Sequence, residues 1–152
     1  MDTSMRKLVI LPFIAIALTP AHAQRVCPDP FNAAPCTPIT ASATGTTGAT
    51  TATLPAVAGK TTYICGFQFI GTNATAANPA TNVTITGTIS GTLNFGYPTL
   101  AAGAGVANTP PVGEVFTPCI QASAINTAIV VNGPALGAGA TLTTVSAWGF
   151  QL

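Results

Sequence analysis

With 152 residues the chain is long enough for one domain, and it carries four Lys or Arg against three Asp or Glu, a formal net charge of +1. Charge this sparse excludes nucleic acid as a partner, since affinity there rests on neutralising several phosphates. It argues equally against electrostatic binding to anionic membranes.

Residues 1–23 read as a secretory signal. Arg6 and Lys7 form a basic region, Leu8 to Leu18 is apolar apart from Pro12, and Ala21-His-Ala23 is a small-x-small cleavage site. The apolar run is too short for a membrane span, which takes about 20 residues, and Thr, Asn, Gly and Pro interrupt every later one. The expectation is an exported protein of the periplasm, cell surface or extracellular space, with no membrane insertion once the signal is removed. Cleavage before Gln24 would leave Arg25 and Lys60 against Asp29 and Glu114, two positive minus two negative, and no histidine, because His22 leaves with the signal.

All four cysteines, Cys27, Cys36, Cys65 and Cys119, lie beyond the signal. An even count in an exported chain implies disulfides, and four cysteines allow three connectivities. The expected pairing is Cys27–Cys36, closing a short loop bent by its prolines, and Cys65–Cys119, stapling two distant strands. A four-cysteine zinc site is disfavoured, because the eight residues between Cys27 and Cys36 exceed the usual knuckle spacing.

Residues 24–48 are expected to be irregular, first rich in Pro and Cys, then in Ala, Thr and Gly. Thr40 to Gly48, poor in large apolar side chains, is either a linker or an extended edge segment. The domain proper is placed at 49–152. Ala49 to Leu54 is a first strand, and Pro55 to Lys60 a turn in which Gly59 can take positive φ. Thr61 to Ile70 is the central strand, with Tyr63, Cys65, Phe67 and Phe69 at period two on the face expected to be the core. Gly71 to Pro79 is a polar loop.

Thr81 to Phe95 alternates, with Val83, Ile85, Ile89, Leu93 and Phe95 on one side and Thr, Ser and Asn on the other. It reads as a strand pair or one bent strand, with Gly87 and Gly91 marking a bulge or a close backbone approach. Gly96 to Gly113 is a long loop, of a kind that often carries function, and Tyr97 within it is the candidate exposed aromatic for ligand stacking. Glu114 to Ile120 leads into Cys119. Ile125, Ile129 and Val131 belong to another strand, Asn132 to Gly139 to a turn region, and Thr141 to Leu152 to a last strand with Leu142, Trp148, Phe150 and Leu152 facing the core. Helix signals are nearly absent. Short strands with frequent turns indicate an all-β fold: a single antiparallel β-sandwich, Ig-like or jelly-roll, stapled by disulfides.

The catalytic inventory is thin. Without a histidine no Ser-His or Cys-His pair can form, and Lys60 reads as a solvated turn lysine. Asp29 and Glu114 do not suggest the carboxyl pair of a glycosidase, and no carboxylate cluster suits calcium. The expectation is no enzyme, no cofactor and no metal. Asn73-Ala-Thr75 and Asn82-Val-Thr84 match the glycosylation sequon, a match that the abundance of Asn and Thr accounts for by chance.

Tyr63-Ile-Cys65-Gly, Pro118-Cys-Ile120 and an aromatic last strand resemble short exported β-sandwich proteins of bacteria and their phages, over about Thr50 to Leu152. That resemblance implies a fold and no activity. The composition, the signal, the disulfide and Gly139 near the C terminus are similar to chaperone–usher pilin subunits, which implies an incomplete Ig-like sandwich assembled by strand donation. The chain departs from that pattern at Gln151, where pilins keep an aromatic, and at Cys27-Pro-Asp-Pro30, which occupies the place of a donor strand. Near-zero charge favours association, so protein partners or self-association are expected. The functional expectation is a surface-contact protein of a cell-surface or extracellular assembly or in adhesion, with a pilin-like subunit or a small glycan-binding module as alternatives.

Overall fold

The computed structural model describes residues 36–73, 80–98, 107–108 and 111–152. The expected signal, Cys27, Asp29 and most of the two long loops lie outside them. Among the described residues there is no helix; nine strands form two antiparallel sheets. The strands are β1 (Thr37–Gly45), β2 (Thr50–Leu54), β3 (Thr62–Asn73), β4 (Thr81–Thr88), β5 (Gly91–Tyr97), β6 (Ala107–Asn108), β7 (Val112–Gln121), β8 (Ile129–Gly133) and β9 (Ala140–Gln151). One sheet runs β1-β9-β3, with β6 and β7 sharing the far side of β3; the other runs β2-β8-β4-β5. The two sheets pack as a sandwich.

The inner faces follow period two where the strands are regular. Ala52 and Leu54 of β2, Val83 and Ile85 of β4, Ile129 and Val131 of β8, and Val145 and Ala147 of β9 are buried. Leu136, from the segment joining β8 to β9, completes this core. Each Val, Ile or Leu so buried contributes roughly 1.5–3 kcal/mol. On one flank of the sandwich three rings close the gap between sheets: Phe67 of β3 lies 4.7 Å from Phe95 of β5 and 6.3 Å from Phe116 of β7. At the base, buried Gln151 donates through Nε2 to Pro55 O (2.7 Å) and Thr62 Oγ1 (3.3 Å). The carboxamide is thereby satisfied at a depth where an unpaired polar group would be costly.

Several faces differ from the period-two reading, and each difference has a local cause. In β3 the register against β9 shifts between Ile64 and Gly66, so that Cys65 and Gly66 together oppose Trp148. This bulge reverses parity. Thr62 and Ile64 point inward before it and Phe67 and Phe69 after it, while Tyr63 and Cys65 sit half-buried on the outer face. The expectation that Tyr63 and Cys65 share the core face with Phe67 is therefore corrected. Gly87, with φ +83°, reverses β4 in the same way. Thr88 turns inward and Ile89 is left 65 % exposed in the hairpin turn to β5. Ile125 is likewise exposed, in the turn before β8. In β9 the inner face is Thr143, Val145, Ala147 and Gln151, not Leu142 and Trp148: Leu142 is 47 % exposed, and Phe150 stacks on Tyr63 outside the sheet at 4.7 Å.

Residues N-terminal to Ala49 contribute to the sandwich. β1 pairs with β9 from Thr37↔Gln151 to Gly45↔Thr143 without a register shift. The Ala/Thr-rich segment is thus the edge strand of its two readings. Gly59 takes positive φ, as its turn requires.

Candidate functional site

Tyr97, expected to be exposed, and Trp148, expected in the core, exchange places in the structure. Tyr97 ends β5 and is buried, its ring edge-on to Phe69 at 5.0 Å and its hydroxyl donating to Gly71 O at 3.3 Å. A ring enclosed in this way cannot stack on a ligand, so the assignment of Tyr97 to a binding site is corrected. Trp148 is the ring left half-exposed on the outer face of its sheet.

Its position follows from its neighbour. Gly66 pairs with Trp148 across β3 and β9 and with Val115 across β3 and β7. A Cβ at Gly66 would collide with Cζ2 of the indole and come within 2.7 Å of Glu114 O. The six-membered ring of Trp148 therefore occupies the space a side chain at Gly66 would fill, and its remaining surface faces an open cavity of about 560 Å3. Phe67, Gln68, Pro111, Gly113, Glu114 and Val115 complete the lining. Val115 is 66 % exposed. Among the described residues, no side chain hydrogen-bonds the Gln68 carboxamide, the Glu114 carboxylate or the Trp148 indole N–H.

β7 is irregular beyond the residues that line the cavity. Its register against β3 jumps from Ile120 opposite Ile64 to Val115 opposite Gly66. The intervening residues, which include the cis Thr117–Pro118 bond, loop away from β3 before Cys119 returns to it. There Cys119 is bonded to Cys65, with their Cα atoms 4.3 Å apart. The staple thus joins neighbouring strands of one sheet at half-buried positions and does not cross the core. Cys36 is also disulfide-bonded; Cys27, its expected partner, lies outside the described residues.

Glu114 is the single carboxylate side chain among the described residues, and no group of three His, Cys, Asp or Glu is gathered there to hold a metal. Lys60 donates to Thr37 Oγ1 at 3.2 Å, tying the turn before β3 to the start of β1. What the cleft offers is an aromatic platform and an amide. Sequence reading missed Gln68. The available signal was Gly66 inside a strand, since such a glycine often marks a close approach by another group.

No protein-family model, no curated protein and no solved structure matches this chain.

Proposed function

We propose that this is a non-enzymatic, exported β-sandwich protein that acts through surface contacts in a cell-surface or extracellular assembly. The observation that carries this reading is β1. It is an edge strand of nine residues, paired on one side only among the described residues, regular throughout and without a charged side chain. Sheet edges are normally blunted by charge, bulges or brevity, because a bare row of N–H and C=O groups templates pairing with another chain. β1 has a proline near its start, Pro38, and none of those other devices. The flanking surface is Thr and Ser, with Thr40, Ser42 and Thr44 exposed. β9 is flanked by two strands of its own chain, β1 and β3, which favours contact at an edge over donation of a missing strand.

Size-exclusion chromatography with light scattering on the purified protein tests this reading. Self-association that rises with concentration, or recovery of a partner from the cell envelope, is expected. It should be lost in the Thr40→Lys/Thr44→Lys variant, whose circular dichroism should be unchanged. A strict monomer at high concentration with no envelope partner would sink the proposal.

A further inference from the structure

We infer that the cleft beside Trp148 is a saccharide-binding site, taking an uncharged pyranoside that stacks on Trp148 and hydrogen-bonds to Gln68. Three observations converge on this ligand class.

The first is the placement of the indole. Large aromatic side chains are normally buried, yet the inner face at this end of β9 is filled by Ala147 and Val145 while the tryptophan is held outside, laid over a glycine. A ring backed by Gly66 and open on its remaining surface is a platform for something flat and weakly apolar. The C–H face of a pyranose ring is such a surface.

The second is the polar fringe. Gln68 presents a donor and an acceptor and Trp148 one donor. Both lack protein partners among the described residues and line one cavity. A ligand carrying many hydroxyls, each able to donate and accept, satisfies this mixed set. A hydrocarbon ligand would leave it unpaired at a cost.

The third is charge. The cavity lining holds no Lys or Arg, so a uronic, sialylated or sulfated glycan would find no cation to compensate its charge. The cavity volume falls within the roughly 300–1,000 Å3 usual for small-ligand sites.

This site spans β3, β7 and β9, and Trp148 of β9 pairs with Thr40 of β1, so its test uses a β3 variant, Gln68→Ala, that leaves the β1 edge untouched and keeps its outcome separate from the assembly reading. Trp148 is the single tryptophan of the chain, and its fluorescence reports on this cavity directly. The full-length protein should be titrated with neutral oligosaccharides selected from a glycan array. The expected result is retention of neutral glycans, a saturable blue shift of the tryptophan emission, and no response to sialylated or sulfated glycans. Gln68→Ala alters an exposed side chain outside the core, so it should leave circular dichroism unchanged and weaken binding at least tenfold. Absence of binding to any neutral glycan would overturn the inference. So would binding unaffected by Gln68→Ala, or a preference for anionic glycans.

Discussion

Thr50 of β2 and Thr143 of β9 join the two sheets through a buried hydrogen bond, Oγ1 to Oγ1 at 3.0 Å. The two residues are 5 % and 0 % exposed. Neither hydroxyl can turn to water, so each depends on the other. Thr143→Val should therefore destabilise the protein by about 1–3 kcal/mol, because it strands the Thr50 hydroxyl. Thr50→Val/Thr143→Val should recover most of that loss. A double-mutant cycle by urea denaturation measures the coupling; strictly additive losses would show that the pair is not mutually dependent.

Removing the staple should also be costly, for a reason unrelated to the core. Cys65 and Cys119 are 54 residues apart in sequence, and in the chain-entropy model closing such a loop contributes roughly 4 kcal/mol. Both positions are half-buried, so a serine at 65 keeps access to water and adds no large penalty of its own. Cys65→Ser and Cys65→Ala should therefore lose similar amounts in equilibrium unfolding. A serine variant much less stable than the alanine one would place this residue in the core after all.

Backbone proximity separates two glycines that the sequence alone does not distinguish. At Gly149 an added Cβ would overlap the carbonyl oxygen of Tyr63 and sit 2.9 Å from its carbon. Those are backbone atoms, which no rotamer change can move aside. Gly96 has nothing within 4 Å of such an atom. Gly149→Ala should cost about 1–3 kcal/mol or more through overpacking, and Gly96→Ala should stay within about 0.5 kcal/mol. Thermal melts of the two variants decide the matter, and equal midpoints would contradict the close β3–β9 approach.

The fold class was legible because alternation survives in the regular strands: Val83 and Ile85, Ile129 and Val131, and Phe67 and Phe69 all face inward as period two requires. What could not be read was parity across a bulge. One extra residue at Cys65 moves Tyr63 to the outer face, and Gly87 does the same to Ile89. The last strand misled for another reason. Its large side chains, Trp148 and Phe150, invite assignment to the core, but the space between the sheets there is taken by small residues, and the rings rest on Gly66 and Tyr63 outside. Tyr97 failed as a site residue because β5 continues to it and delivers its ring to Phe69. The cleft depends on β3, β7 and β9 lying side by side, a tertiary arrangement that no local spacing encodes.

The pairing of β1 with β9 also dictates an order of events. Thr37 waits for Gln151, and β9 is the strand that separates β1 from β3 in the sheet. In a chain that emerges from its N terminus, the early strands appear without the one that holds them together. The sheet can close only after Ala140–Gln151 is free, so folding of the sandwich waits for the last of its nine described strands. Contacts this distant in sequence also fold slowly. A chain ended after Gly139 should therefore be digested by protease as an unfolded polypeptide, and its resistance would show that the sheet closes without its middle strand.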